Sequence, residues 1–134
     1  MSEPDAAVAA TIDAVATSPL SAYTLGTNLF QGPMRAVSSV IPHRAIFVLT
    51  VGGPSPLDKF SGTPIQRHNV QVMLRGNVDA FSVAQADAKA CRDALHLATI
   101  AGYLRCAAIQ PAYLGLDDNE HPLFSLNLTL WREA

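Results

Sequence analysis

The two stretches that decide the fold are QPAYLGLDD at residues 110–118 and PLFSLNL at residues 122–128. From residue 124 to residue 129, apolar and polar side chains alternate without exception. Because successive side chains of a strand point to opposite faces, this alternation predicts a half-buried final strand. The first stretch combines an aromatic residue, a glycine and acids, which predicts a long ordered loop over 111–121 leading into that strand.

Two stretches upstream also have strand character. Residues 44–51 are apolar on both faces, which is typical of a central strand covered on both sides. Residues 67–75 alternate, so that Val70 and Val72 are expected to face inward while Met73 and Arg75 face outward. Shorter strands are predicted at 25–30, 37–41 and 103–110.

Helical spacing occurs at two places. An N-terminal helix is predicted over 2–17, and the longest helix is predicted over 79–101. The long helix carries one apolar stripe, formed by Ala84, Ala88, Cys91, Leu95 and Ala98. The order of elements predicts an α+β fold: a mostly antiparallel or mixed sheet of four to six strands, with the N-terminal helix and the long helix packed on it.

The length of 134 residues suits one domain, here predicted as 1–134. Proline and glycine interrupt the pattern in three long loops, predicted at 18–43, 52–66 and 111–121. Charged residues make up only 15% of the chain, a proportion expected when part of the surface is hidden against partners, although alanine-rich dilution of the charges explains it equally well.

Composition argues against several functional classes. The formal net charge of -2 provides no overall basic field for nucleic acid. No basic leader precedes an apolar segment, and no apolar run approaches the roughly 20 residues of a membrane span. Cys91 and Cys106 are expected to be small buried residues of a protein made in a reducing cytoplasm.

The sequence offers no recognisable active site. The four histidines lack metal-ligand spacing, and the acids Asp117, Asp118 and Glu120 do not follow a calcium-loop pattern. Phosphate-binding and nucleophile-elbow motifs are also missing from the sequence. We therefore expect no enzyme activity, cofactor or metal. The alternative is a small α+β enzyme or ligand-binding domain with a pocket formed by His68, Arg75 and Asp79.

Several short motifs occur in a characteristic order between residues 18 and 130. They are SPL at 18–20, GTNLF at 26–30, IP at 41–42, GG at 52–53, Arg67, VQV at 70–72, RG at 75–76, PAYLG at 111–115, Asp117 and PLFSLN at 122–127. In this order the chain resembles the phage minor capsid family, whose members include siphophage tail terminators, also called tail completion proteins. Gln110 and Leu116 depart from the residue types expected at those positions.

The resemblance implies a structural role in a virion. A tail terminator forms a ring, typically of six copies, on the head-proximal end of a finished tail tube, where it stops tube growth and joins the head connector. The implied partners are other copies of the chain, the tail tube protein and the head-tail connector protein. DNA would pass through the lumen without specific binding, and no membrane is involved.

A ring requires a heterologous interface, for which loops and open sheet edges are suitable. The first candidate is the loop at 52–66, with its apolar anchors Leu57, Phe60 and Ile65; alternatively, these side chains fix the loop to its own core. The second is the tip at 117–121. The full set of candidate contacts to a neighbouring subunit or the tail tube is Leu57, Phe60, Ile65, Met73, Arg75, Asp117, Asp118 and His121.

Overall fold

A computed structural model describes residues 4–15, 20–32, 44–51, 57–60, 63–100, 102–117 and 119–133, with the backbone alone at 57–60, 63–66 and 133. In chain order the elements are α1 (Pro4–Ala14), a 3-10 turn (Leu20–Ala22), β1 (Leu29–Gln31), β2 (Ala45–Val51), β3 (Leu57–Phe60), β4 (Thr63–Arg75), α2 (Phe81–Leu95), β5 (Arg105–Ala108), β6 (Ala112–Leu116) and β7 (Pro122–Glu133).

All seven strands belong to one mixed sheet. Its main path runs β1-β2-β4-β7-β5, with β3 beside β4 and β6 beside β7. The pairing of β1 with β2 is parallel and the other pairings are antiparallel. The α+β fold, the mixed sheet and the two predicted helices are confirmed. The strand total exceeds the expected four to six because the short strands β3 and β6 lie in segments predicted as loops.

Both helices pack on the same face of the sheet, where the core forms. The register places Val48, Val72 and Leu126 side by side on β2, β4 and β7, so one apolar row crosses three strands. The apolar stripe of α2 closes over these rows. The largest buried apolar side chains are Val8, Ile12, Leu29, Ile46, Val48, Val70, Val72, Leu74, Leu95, Leu128 and Leu130.

The opposite face of the sheet carries the intervening residues of each strand. We call it the helix-free face, because no helix in the described ranges packs on it. On its β1–β2 side, Phe30 and Phe47 stack with ring centroids 5.3 Å apart. Towards β4 and β7 the same face becomes polar, with Gln71 opposite Asn127. Met73 is half-buried on this face, as the alternation predicts.

The loop predictions at 52–66 and 111–121 are wrong where β3, the start of β4, and β6 lie. Proline and glycine in these segments suggested loops. However, a proline at the start of an edge-paired strand costs little, and Pro64 stands next to the first residue of β4, opposite Lys59. In β6, most side chains are exposed, so the sequence shows no alternation there. Pairing with a neighbouring strand determines where these strands lie, and their own sequences carry no alternating pattern that would predict them.

The long helix is shorter than predicted, because α2 ends at Leu95 instead of continuing to 101. His96 adopts an extended backbone, and Leu97 has a positive φ of 60°. The Leu97 N–H then donates to the Cys106 carbonyl at 2.8 Å, which turns the chain towards β5. The predicted strand at 37–41 lies outside the described residues. Within the described part of the chain, no helix has the length and hydropathy of a membrane span.

Candidate interaction surface

The tip between β6 and β7 is fixed to the end of β4 by a buried ion pair. Arg75 Nε lies 2.9 Å from Asp117 Oδ2. The other carboxylate oxygen, Oδ1, accepts the backbone N–H groups of Asn119 and His121, both at 2.9 Å. His121 Nδ1 lies 2.9 Å from the Gly76 carbonyl oxygen. A carbonyl can only accept, so Nδ1 carries the proton in this arrangement.

These contacts change the interpretation of three predicted site residues. Arg75 and His121 are only 4% and 2% exposed, and both are engaged within their own chain. Asp117 organises the tip as the acceptor of two backbone N–H groups and one guanidinium. The structure therefore brings Arg75, Asp117 and His121 together in contacts within the chain that hold the tip in place as an internal support. A neighbouring protein would contact the exposed residues around the tip and not these three side chains.

The Asp117 environment sets a pH dependence. Burial alone would raise the pKa of this carboxyl, but the N–H groups of His121 and Asn119, together with Arg75, hold it below its ordinary value. A depressed pKa adds stability above the ordinary range, which is lost as the pH falls through about 4. We expect wild type to lose more stability than Asp117→Asn between about pH 5 and pH 2, measured as urea midpoints.

The matched control for this prediction is Asp93→Asn, because the Asp93 side chain is 73% exposed and has only a 3.5 Å contact with Arg92. Its acid profile should follow wild type. Parallel profiles for wild type and Asp117→Asn across the same window would contradict the assigned role of Asp117.

Above this support lies a cluster of aromatic rings. Phe81 at the start of α2 meets Tyr113 of β6 edge to face, with centroids 5.0 Å apart. Both rings lie 5.4 Å from the buried ring of Phe124. Phe81 and Tyr113 nevertheless remain 42% and 49% exposed. Aromatic rings that are held in place and still have exposed faces are typical of protein interfaces. Because folding has already fixed these side chains, binding costs them little further conformational entropy.

An open cavity of about 350 Å³ lies beside these rings, lined by Asp79, Phe81, Tyr113, Leu116, Glu120 and Pro122. We call Phe81, Tyr113 and Leu116 the aromatic patch. Val78, Val83 and Leu114 are also exposed near it in sequence. Four of the six lining residues are aromatic or apolar and two are acids, so the cavity fits an apolar side chain from another protein better than a small anionic substrate.

The aromatic patch borders an open sheet edge. Both β5 and β6 pair with β7, one after the other, and neither has a second partner among the described strands. The outer side of β5 is already engaged, because the Leu97 N–H donates to the Cys106 carbonyl and the Ala108 N–H donates to His96 Nδ1. The open part of this edge therefore lies along β6. An open edge offers N–H and C=O groups to a strand from another chain. This edge and the aromatic patch together form the candidate interaction surface.

Other predicted site residues lie elsewhere. Leu57, Phe60 and Ile65 belong to β3 and the start of β4, where only the backbone is described, and Asp118 lies outside the described residues. Met73 is on the helix-free face. The sequence analysis did not identify Phe81 or Leu116. A single aromatic residue at the start of a helix, or a leucine in a segment predicted as a loop, gives no recognisable sequence pattern. The aromatic turn at Tyr113 was the available clue.

A second polar cluster is internal. Asp87 is fully buried in the apolar stripe of α2, where Arg44 Nε and Nη2 contact its two oxygens at 2.9 Å each. The Tyr23 hydroxyl donates to the same carboxylate at 2.5 Å. Burial and then the Asp87 contact raise the pKa of Tyr23, and chiefly the Asp87 hydrogen bond raises the pKa of Arg44. Each group therefore keeps its proton, and the cluster is structural.

The structure disfavours the pocket proposed for an enzyme. His68 and Arg75 are seven residues apart on β4, roughly 23 Å along a strand, so they cannot share a small substrate. Burial raises the pKa of Cys91 to about 12, with a smaller effect from Asp87, and burial raises that of Cys106 to about 11. Neither thiol is ionised at neutral pH. The described residues contain no cluster of metal-ligating side chains.

No protein-family model matches the sequence, and no curated protein sequence matches it. The fold is similar to that of a solved chain from the virion of a native gene transfer agent (GTA) particle. The TM-score is 0.72 at 16% identity, and the match covers 98% of this chain and 95% of that chain. At this identity the likeness concerns the fold.

Proposed function

We propose that this chain is a structural protein of a phage or phage-like virion, and more specifically a tail terminator. It would form a ring, typically of six copies, at the head-proximal end of the tail tube, stop tube growth and join the tail to the head connector. The protein would be made in the host cytoplasm and reside at the head-tail interface.

The observation that carries this proposal is the structural match across nearly the entire chain to a chain of a virion. The order of motifs between residues 18 and 130 independently suggests the tail-terminator role. A catalytic role has less support, because the two carboxylates with strong internal contacts hold the fold together: Asp87 in the core and Asp117 under the tip.

The candidate interaction surface supplies what a ring requires. A heterologous interface joins two different surfaces of identical subunits and closes when its rotation fits a whole number of copies. On one side we place the aromatic patch and the open edge of β6. The segments containing Leu57, Phe60 and Ile65, together with Met73, remain candidates for the other side or for the tail tube.

The test is the absolute mass in solution by light scattering after size exclusion, across a concentration series, with negative-stain images of any large species. We expect a ring-sized oligomer with a central hole, either alone or on added tail tubes. Tyr113→Ser combined with Leu116→Ser should reduce the oligomer at least tenfold at a fixed concentration, because it removes two of the three side chains of the aromatic patch.

Leu25→Ser is the matched control. It removes a leucine that is 47% exposed beside β1, at the opposite end of the sheet from β6. Its oligomeric state should equal that of wild type. A monomer at every concentration, with no recruitment by tail tubes, would overturn the proposed ring.

A further inference from the structure

One end of the helix-free face brings together two arginines and the single tryptophan. The register aligns Arg67 of β4, Trp131 of β7 and Arg105 of β5 as direct cross-strand neighbours. Arg105 Cζ lies 5.1 Å from the centre of the Trp131 ring. At the same end of β7, Arg132 Cζ lies 5.7 Å from the Tyr103 ring. We call Arg67, Trp131 and Arg105 the basic row.

The arginines of the basic row differ from others in the chain in how their charge is balanced. Arg44, Arg75 and Arg92 each face a carboxylate. In contrast, Arg67 and Arg105 form no ion pair within the described part of the molecule, and the buried Arg67 Nε has no hydrogen-bond partner there. Arg105 is exposed and Arg67 is half-buried. Two neighbouring guanidinium groups without a counter-charge form a local anion-attracting surface.

Two rows on the side of the basic row nearer the middle of β4 are polar and uncharged, whereas on its other side the next row pairs Ile65 with Glu133. Asn69 stands opposite Thr129, and Gln71 stands opposite the exposed Asn127. Among side chains that the structure describes, these rows contain no carboxylate. Amide and hydroxyl groups commonly contact phosphate oxygens beside arginine. The polar half of the helix-free face thus has both the charge and the hydrogen-bonding groups that suit a polyanionic backbone.

We propose that this face contacts the phosphate backbone of duplex DNA, without reading its sequence, through Arg67 and Arg105. Two strand spacings separate these residues, about 10 Å, so they can reach different phosphates. Arg105 covers the Trp131 ring, which leaves that ring unsuited to stacking on an unpaired base; this favours duplex over single-stranded nucleic acid. The overall charge of -2 conceals the local surface because acids lie elsewhere, as with Asp79 and Glu120 at the cavity rim.

The inference deepens the proposed function. If the ring exists, this face lines its channel and touches the passing DNA; that placement rests on the proposed function. The phosphate contact itself does not depend on the proposed function, since a monomer would show it too. With only two arginines involved, binding should be weak and easily broken by salt, which is compatible with DNA sliding past the surface.

Trp131 provides a readout located in the site, because it is the only tryptophan in the chain. Its emission is followed while the full chain is titrated with a short blunt duplex at about 10 mM salt and then at increasing salt. We expect saturable quenching, with log K falling against log salt at a slope of about -2. The slope should be the same for duplexes of unrelated sequence.

The variants Arg67→Gln and Arg105→Gln should each reduce the slope by about 1 and the affinity several-fold. Lys89→Gln is the matched control: it removes the same charge from an exposed position on α2, and its slope should equal that of wild type. Circular dichroism checks that each variant is folded.

Three results would overturn the proposal. They are no quenching by duplex at low salt, a loss of affinity for Lys89→Gln equal to that of the arginine variants, or tighter binding of oligo(dT) than of duplex. The last would assign Trp131 to base stacking. Light scattering on the same samples separates the two proposals. An intact ring with no DNA contact rejects this inference alone, and DNA contact by a strict monomer rejects the ring alone.

Discussion

Replacing Asp87 by alanine is expected to lower the free energy of unfolding by about 3–4 kcal/mol. The change removes the two carboxylate oxygens that accept from the Arg44 guanidinium and the acceptor of the Tyr23 hydroxyl, and it leaves Arg44 only the Tyr23 hydroxyl at 3.2 Å. The loss falls in the lower part of the range for broken buried pairs, because the Arg44 side chain is 28% exposed and regains some water. Urea unfolding followed by circular dichroism measures it.

Two further variants sharpen this test. Asp93→Ala changes an exposed carboxylate on the same helix and should alter stability by less than about 0.5 kcal/mol. The triple variant Tyr23→Phe, Arg44→Met and Asp87→Leu should recover most of the loss, since apolar residues of similar size often replace a buried ion pair at little cost when no buried donor is left unpaired. A loss below about 1 kcal/mol for Asp87→Ala would contradict the structural role of the cluster.

Gly76→Ala is expected to cost about 3 kcal/mol, the upper end for overpacking. A Cβ on Gly76 would lie 2.5 Å from Cβ of Ala84 and 3.2 Å from Cγ of Pro122. The Ala84 methyl is attached directly to the helix backbone and cannot rotate away, so α2 must move. That movement would also disturb the Gly76 carbonyl that His121 binds and the position of Phe81.

The second-site test for Gly76→Ala is Ala84→Gly. This change removes the clashing methyl but lowers helix propensity by about 1 kcal/mol. The double variant should therefore be more stable than Gly76→Ala alone, although less stable than wild type. Additive losses in the two single variants would show that the contact between Gly76 and Ala84 does not limit the packing of α2.

The strands with regular patterns were predictable from the sequence. Alternation located β4 and β7, and the doubly apolar run located β2, because burial on one face or both leaves a local signature. The strand β6 leaves none, since its side chains are largely exposed and its place in the sheet is fixed by pairing with β7. A loop and such an edge strand have similar composition.

In the candidate sites too, individual residues could be predicted from the sequence, but the contacts between them could not. Arg75, Asp117 and His121 were identified as separate residues, but their contact joins positions up to 45 residues apart, which local patterns cannot show. The α2 stripe was predicted from its alanines and Cys91, yet Asp87 lies within it. A carboxylate there becomes acceptable only through Arg44 and Tyr23, which are 43 and 64 residues away in the sequence.

The short length of the open edge has a consequence for the free subunit. A long uninterrupted edge would let one chain add strands from many others and nucleate fibrils in a crowded cell. Here His96 and Leu97 already occupy the outer side of β5, and Pro111, which has no N–H to offer, stands between β5 and the five residues of β6. The remaining edge is long enough to accept one specific strand and too short to template aggregation before assembly begins.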